Sequence, residues 1–239
     1  MDYIVKDDTI IFAPRYDELI DSNLVFNYKK IIFSNYVLDE HLFDEYESNS
    51  GSFMEFRFSS SYFNQQVDNL PEQLTHLIFG YHFNQPVNNL PKQLTHLTFG
   101  QNFNQHINNL PNTLTHLTFG QNFNQPVNLP FSIKYLKLNG NSEYLIDNLP
   151  NGIEELEFGY YFNLELNNLP SSIKKITFNV CSSYNKELNC LPNFIEQIQL
   201  HYSYDKKILK IPTSLNKIIC SKSYKFIKDF DNYLVETYE

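Results

Sequence analysis

The fold is decided by the stretch LPKQLTHLTFGQNFNQHINN, residues 90–109. Within it, Leu97 and Phe99 alternate with Thr98, which is the two-residue period of a β-strand. The wider spacing that leads on to Phe103 fits a coil that bends back around an apolar core. No 3.6-residue periodicity persists on this return side, and a proline opens the next approach to the strand, so the pattern predicts no return helix.

A Leu-Pro pair marks the start of each repeat along most of the chain. The pairs begin at Leu70, Leu90, Leu110, Leu129, Leu149, Leu169 and Leu191, and an Ile-Pro pair follows at Ile211. The steps between them are 20, 20, 19, 20, 20, 22 and 20 residues. A fixed period of this length is typical of a solenoid in which each repeat forms one coil.

Three apolar columns recur at the same places in about eight successive repeats. The first contains Leu74, Leu94, Leu114, Ile133, Ile153, Ile173, Ile195 and Leu215. The second contains Leu77, Leu97, Leu117, Leu136, Leu156, Ile176, Ile198 and Ile218. The third contains Phe79, Phe99, Phe119, Leu138, Phe158, Phe178, Leu200 and Cys220. We therefore predict an all-β-leaning, leucine-rich-repeat-like solenoid of ~20-residue coils, with a parallel sheet on one face and little helix.

The repeat pattern divides the chain into three predicted segments. Residues 1–52 form an acidic N-terminal cap with a degenerate first coil, residues 53–220 form the solenoid, and residues 221–239 form a C-terminal cap. Three residues just after the first boundary match the three core columns: Phe53, Phe56 and Phe58. Caps are expected because an open solenoid end leaves core and strand edges exposed.

The composition excludes several classes of protein. Apolar residues make up 42% of the 239 residues, which is enough for a core, and glycine is scarce, so Asn and Pro are expected to make the turns. The net charge is −9, and residues 1–60 carry 12 acidic and 5 basic side chains. With no basic patch, a nucleic-acid partner is not predicted.

The cysteines and the start of the chain bear on its location. Cys181, Cys190 and Cys220 are an odd number at no metal-ligand spacing, which indicates reduced thiols in the cytoplasm. The first residues carry early acids and no long apolar run, unlike a secretory signal. No stretch approaches the ~20 apolar residues of a membrane helix, so no membrane partner is expected.

Three tetrapeptides are the most distinctive motifs: Phe83-Asn84-Gln85-Pro86, Phe103-Asn104-Gln105-His106 and Phe123-Asn124-Gln125-Pro126. They resemble the signature of the FNIP repeat family, a leucine-rich-repeat variant found mainly in social amoebae and in giant viruses that infect amoebae. The resemblance covers residues 53–220 and is most specific in residues 61–131. It implies a curved solenoid that serves as an interaction module.

Together, the repeats and the resemblance predict a protein–protein interaction scaffold without catalysis or cofactor, whose protein partner the sequence does not name. Many members of the family carry an N-terminal F-box, a helical segment that recruits a ubiquitin-ligase core. The alternative is therefore a substrate adaptor that recruits ligase components through residues 1–50. Either activity is expected in the cytoplasm, which is the host cytoplasm if the chain is viral.

Two asparagine columns are expected to stabilise the turns. The first contains Asn69, Asn89, Asn109, Asn128, Asn148 and Asn168, and the second contains Asn64, Asn84, Asn104, Asn124 and Asn163. Amide side chains readily bond backbone groups at tight turns, so each column predicts a structural ladder from coil to coil.

A histidine column is the only candidate for metal chemistry: His76, His96 and His116. Imidazoles at strand spacing could share one ion, which gives a remote alternative of a metal-dependent enzyme. The other interpretation is that duplication copied one surface residue, because parallel neighbours converge poorly and no carboxylate or Cys completes a shell. The phosphate-loop, His-Glu-x-x-His and Gly-x-Ser-x-Gly motifs are all missing from the sequence, so no catalytic residues are predicted.

The outward side of the strands is the predicted partner-binding face, because solenoids use their extended sheet as a contact surface. Its first coils are neutral and polar, and its later coils alternate in charge. The predicted binding residues are His76, His96, Thr98, His116, Thr118, Tyr135, Lys137, Glu155, Glu157, Lys175 and Thr177. A solvated face without a partner is the other interpretation.

Overall fold

The computed structural model describes residues 2–35 and 60–238. In these ranges twelve strands form a single sheet, in which the strands lie side by side in chain order. The first six are β1 (Tyr3–Lys6), β2 (Thr9–Phe12), β3 (Lys30–Phe33), β4 (His76–Ile78), β5 (His96–Thr98) and β6 (His116–Phe119). The others are β7 (Tyr135–Leu138), β8 (Glu155–Phe158), β9 (Lys175–Phe178), β10 (Gln197–Gln199), β11 (Lys217–Ser221) and β12 (Leu234–Tyr238).

The strand directions are those of a solenoid. Strands β1 and β2 form an antiparallel hairpin, and every later neighbour pair is parallel. Parallel neighbours need a crossover connection, which the return half of each coil supplies. In the described ranges the helices are α1 (Ser22–Val25), α2 (Glu143–Asp147) and one 3₁₀ turn (Ile227–Phe230). The predicted fold class is therefore confirmed.

The core is the stack of apolar columns predicted from the sequence. All members of the three columns are buried, and the most exposed of them is Leu215 at 5%. A further column of phenylalanines packs against the third one, so that the rings of Phe79 and Phe83 lie 3.7 Å apart. Each ring also stacks on its equivalent in the next coil, as Phe79 does on Phe99 at 5.8 Å. Each coil is thus completed by its neighbours.

Other residue types occupy the phenylalanine slot in four of the later coils. Ser142 occupies the slot in one coil, and it precedes α2, which buries Leu145 in the core. Later coils place Tyr184, Tyr204 and Tyr224 in the slot, all buried. The hydroxyls of Tyr204 and Tyr224 donate to backbone carbonyls of the preceding coil, which offsets the cost of burying a polar group.

The N-terminal coil combines two stretches that are distant in sequence. Ile31 pairs directly with Leu77, so β3 is the neighbour of β4 in the sheet. The return half of the coil begins near Phe63, whose ring lies 3.8 Å from that of Phe33. Asn35 joins the halves, since its Oδ1 accepts hydrogen bonds from the backbone N–H groups of residues 61 and 81. The sheet therefore continues into the segment predicted as an N-terminal cap.

Three residues used to set the solenoid boundary lie outside the described residues: Phe53, Phe56 and Phe58. At the other end, β12 extends the parallel sheet into the predicted C-terminal cap of residues 221–239. Both predicted caps thus contribute strands to the same sheet. The first described strand, β1, forms one edge of the sheet and pairs with β2 in the antiparallel hairpin.

Candidate protein-binding face

The outward side chains of the strands form two straight rows, which together are called the outer face. The first row contains His76, His96, His116, Tyr135, Glu155, Lys175, Gln197 and Lys217, and the second contains Ile78, Thr98, Thr118, Lys137, Glu157, Thr177, Gln199 and Ile219. These side chains alternate with the buried second column. The structure therefore brings together all eleven residues predicted for the binding face.

The histidines of the first row form a continuous ring stack. The imidazole centroids of His76 and His96 lie 4.1 Å apart, and those of His96 and His116 are also 4.1 Å apart. Tyr135 extends the stack at 5.5 Å from His116. Because the strands pair in register, equivalent side chains are held at close to the strand spacing.

The threonine that precedes each histidine fixes its ring. In the middle coil, the Thr95 hydroxyl donates to the carbonyl of Thr75 at 3.1 Å, and its oxygen lies 2.9 Å from Nδ1 of His96. Both contacts are satisfied at once only when the hydroxyl donates to the carbonyl and the imidazole donates to the hydroxyl oxygen through Nδ1–H. We therefore assign the Nδ1–H tautomer, which carries its lone pair on Nε2. Thr115 and His116 repeat this arrangement with nearly the same distances.

Burial favours the neutral form of two rings of the stack, His96 and His116. Burial, the neighbouring imidazoles of His76 and His116, and Lys30 lower the pKa of His96 to about 4. Burial also lowers the pKa of His116, and the charge of Glu155 opposes this shift. The outer face on β5 and β6 therefore presents neutral polar groups: His96, His116, Thr98 and Thr118.

Acidification is expected to destabilise the protein through His96. Its pKa is near 6.5 in an unfolded chain and about 4 in the fold, so between these values the unfolded state binds a proton that the folded state does not. Stability should therefore fall as the pH is lowered through this window. The melting temperature of the His96→Asn variant should fall less over the window, whereas His106→Asn, an exposed histidine of the same coil, should behave like the unchanged protein. Equal acid sensitivity of the two variants would contradict the prediction.

The geometry of the stack does not favour a shared metal ion. The rings are nearly parallel, at 12°, so the lone pairs of neighbouring imidazoles run side by side rather than converge. In the described ranges, no three His, Cys, Asp or Glu side chains are grouped so that they could hold a metal. The threonine contacts at Nδ1 instead hold the imidazole rings in a fixed orientation.

The later coils of the outer face carry paired charges. Nζ of Lys137 lies 2.6 Å from Oε1 of Glu157, and the Tyr135 hydroxyl donates to Oε2 of Glu157 at 2.6 Å. Burial and the hydrogen bond to Glu157 raise the pKa of Tyr135. Lys175 pairs with Glu155 at 3.0 Å. The charges in these coils are therefore largely satisfied within the chain.

A second line of charges flanks the rows. Glu154 lies between Lys134, at 3.1 Å, and Lys174, at 2.8 Å. Hydrogen bonds from Lys174 and Lys134 lower the pKa of the Glu154 carboxyl. These pairs are exposed and screened by solvent, so they contribute little to stability.

The two asparagine columns make different contacts in the structure. Asn69, Asn89, Asn109, Asn128, Asn148 and Asn168 are all exposed at the end of the return half. Their contacts are scattered, such as that of Asn89 with Asp68 and that of Asn148 with the carbonyl of Tyr144. Asn89 and Asn128 each contact a neighbouring coil, the latter through the Tyr144 hydroxyl, but these contacts are isolated and do not repeat from coil to coil.

A repeated ladder runs mainly through the column that follows the buried aromatic residues, in two sections: from Asp17 to Asn124 and from Asn141 to Asn185. The N–H groups of Asn64, Asn84, Asn104, Asn124, Asn163 and Asn185 donate, in this order, to Oδ1 of Asp17, Asn64, Asn84, Asn104, Asn141 and Asn163. The distances run from 2.7 to 3.0 Å. Asp17 thus supplies the first rung from the N-terminal segment, a contact that no sequence repeat signals.

Two asparagines of one coil provide a matched test of the ladder. Asn104→Ala should lower the free energy of unfolding by about 0.5–1.5 kcal/mol, because the backbone N–H of Asn124 loses its acceptor in the preceding coil. Asn109→Ala should change it by less than about 0.5 kcal/mol, since Asn109 is exposed. Urea denaturation of both variants checks the difference, and a larger loss for Asn109→Ala would restore the first column as the ladder.

Comparison with known proteins gives the same repeat. The family model described as FNIP Repeat matches residues 63–102, 86–122, 103–141 and 141–181. No curated protein matches the chain. None of the described helices is long and apolar enough to cross a membrane.

A solved structure supports the architecture. The chain is similar to CroV588, a giant-virus protein described as a novel circular LRR structure, with 27% sequence identity and a TM-score of 0.60. The similarity covers 94% of this chain and 38% of CroV588. The chain therefore spans less than half the length of that relative, and shares its leucine-rich-repeat fold over nearly its own full length.

Proposed function

Since the chain is an FNIP-repeat-containing protein built as a leucine-rich-repeat-like solenoid, we propose that it binds a partner protein on the outer face of its sheet. Repeat solenoids of this kind generally serve as interaction scaffolds. The observation that carries the proposal is the in-register pairing of β4 to β9, which places the eleven predicted residues side by side in two rows. Such a face offers a partner both neutral polar groups and a fixed pattern of charge.

The two halves of the outer face suit different parts of an interface. The neutral half on β4 to β6 can be desolvated at low cost, which is typical of an interface core. The charged half on β7 to β9 is already paired internally, which suits a rim that sets orientation and selectivity. Scaffolds of this type are typically not enzymes, and the parallel histidine stack supports binding rather than catalysis.

Adaptor activity through the N-terminal segment stays an alternative without specific support. The described residues 2–35 form β1 to β3 and a four-residue helix, and they are part of the sheet. This arrangement supports a cap rather than a separate helical recruiting segment. Removing residues 1–50 would also uncover the edge of β4, so a loss of ligase binding after that deletion would not identify a recruiting site.

A charge swap on the outer face tests the proposal. Exchanging Lys175 and Glu155 (Lys175→Glu with Glu155→Lys) keeps the ion pair and the fold but reverses two charges presented to the partner. The matched control exchanges Lys207 and Asp229, a pair 3.2 Å apart outside the two rows. We expect affinity capture from the native cell to lose at least one protein with the first swap and to retain it with the control. Identical captures with both swaps would reject the outer face as the docking site.

A further inference from the structure

The unused hydrogen-bonding capacity of the outer face is concentrated on two neighbouring strands. Nε2 of His96 and of His116 has no hydrogen-bond partner within the described residues, and neither do the hydroxyls of Thr98 and Thr118. We call these four side chains on β5 and β6 the acceptor patch. The charged groups of β7 to β9, in contrast, are bonded to one another.

The acceptor patch presents a defined chemistry. Because Nδ1–H of each ring is bound to the preceding threonine hydroxyl, Nε2 can only accept a hydrogen bond. The two rings are parallel, with centroids 4.1 Å apart, so their lone pairs point the same way at short separation. The rings are half-exposed to exposed, and the threonine hydroxyls lie beside them in the second row. A ligand that fits must therefore offer at least two N–H donors on one side.

An acidic ligand fits this patch poorly. To bind a carboxylate, each imidazole would need a proton on Nε2. The ring would then either become charged beside a ring stacked at 4.1 Å or give up its Nδ1–H bond to the threonine hydroxyl. The desolvated setting that lowers the pKa of His96 opposes the same step. A planar guanidinium has five N–H donors in a rigid fork and can bridge two parallel acceptors. The negative charge of Glu155, which acts on His116, also favours a cationic group at this end of the patch.

We propose that the acceptor patch binds an arginine side chain presented by the partner protein. This inference rests on the proposed docking face and specifies the chemistry of the partner at its neutral half. The guanidinium donates to Nε2 of His96 and His116, while the threonine hydroxyls accept further N–H groups at the edge of the fork. Recognition by a bidentate fork makes lysine a poor substitute, since an ammonium acts as a point charge.

The test uses the full chain with ¹⁵N-labelled histidine and two small probes, N-acetyl-arginine amide and N-acetyl-glutamate amide, at neutral pH. Long-range ¹H–¹⁵N spectra should show His96 and His116 as Nδ1–H tautomers. The arginine probe should shift both Nε2 resonances, and the glutamate probe should leave them in place. An Nε2–H tautomer, no response to arginine, or equal responses to both probes would overturn the inference.

Two asparagine variants locate the bound probe. His116→Asn keeps an amide where Nδ1 was and removes the Nε2 acceptor, so the response of His96 to the arginine probe should weaken about tenfold. His106→Asn, on the return side of the coil, should leave the response unchanged, and equal effects of the two variants would place the probe elsewhere. If the arginine probe fails while the Lys175–Glu155 swap still releases the native partner, the arginine inference falls and the docking face stands. If the probe binds but the swap retains every partner, the docking face falls.

Discussion

Replacing Phe103 by alanine is expected to lower the free energy of unfolding by about 3–5 kcal/mol. Phe103 is fully buried in the middle of the ring stack, where it contacts Phe99 at 3.8 Å and lies 6.0 Å from both Phe83 and Phe123. Alanine would remove the ring and leave a cavity between two coils, each of which relies on its neighbour for its core. The hydrogen bonds between neighbouring strands hold the coils at a fixed spacing, so the cavity can collapse only partly.

Phe131→Ala provides the matched control for this substitution. Phe131 is the same residue type, but 79% of its surface is exposed, so its loss should change stability by less than about 0.5 kcal/mol. Urea unfolding followed by circular dichroism measures both variants. Comparable losses for Phe103→Ala and Phe131→Ala would show that the ring stack does not hold the coils together.

The fold could be predicted because the sequence repeats on two scales. The two-residue alternation around Leu97 identifies a strand and its buried side, and the 20-residue period repeats that strand in every coil. In-register pairing follows, since a slip of one residue would turn an entire apolar column to solvent. For this reason the outer face, which is the complement of the buried columns, was also predictable residue by residue.

The choice between the two asparagine columns could not be made from their period. Both Asn104 and Asn109 recur in every well-preserved coil, and an amide can serve either as a turn ladder or as a solvated turn residue. The useful signal was the neighbour: Asn104 directly follows the buried Phe103, which holds its backbone close to the adjacent coil. Asn109 instead precedes a half-buried leucine at the exposed end of the return.

The N-terminal coil depends on contacts that no period encodes. Asp17 and Asn35 each hydrogen-bond to residues far along the chain, at separations of 47 residues for Asp17 and 26 and 46 residues for Asn35. Such contacts are set by where the chain returns to the sheet, not by local spacing. The pairing of Ile31 with Leu77 shows the same limit. The repeat pattern, through Phe53, Phe56 and Phe58, predicted a further coil directly before β4, whereas β3 is the neighbour of β4 in the sheet.

Glycine has a role here that its scarcity in the sequence conceals. The described glycines all avoid positive φ, so they are not needed to make left-handed turns. Instead, a Cβ built on Gly100 would lie 1.9 Å from the carbonyl oxygen of Gly80, and one on Gly120 would lie 1.9 Å from that of Gly100. Glycine therefore permits the backbones of successive coils to approach closely just after the strand of each coil.

Gly100→Ala should consequently destabilise the protein by at least about 3 kcal/mol, at the upper end of the cost of overpacking a core. At a position with an ordinary φ, this change would normally stabilise by about 0.4–1 kcal/mol through the unfolded chain. The contact reverses the sign, because the added methyl group would meet a backbone carbonyl of the preceding coil, which cannot move aside as the end of a flexible side chain can. The melting temperature of Gly100→Ala, compared with that of Asn88→Ala on the exposed return side, measures the effect. An unchanged or raised melting temperature for Gly100→Ala would contradict the prediction, because it would show that a methyl group fits between the two coils at this position.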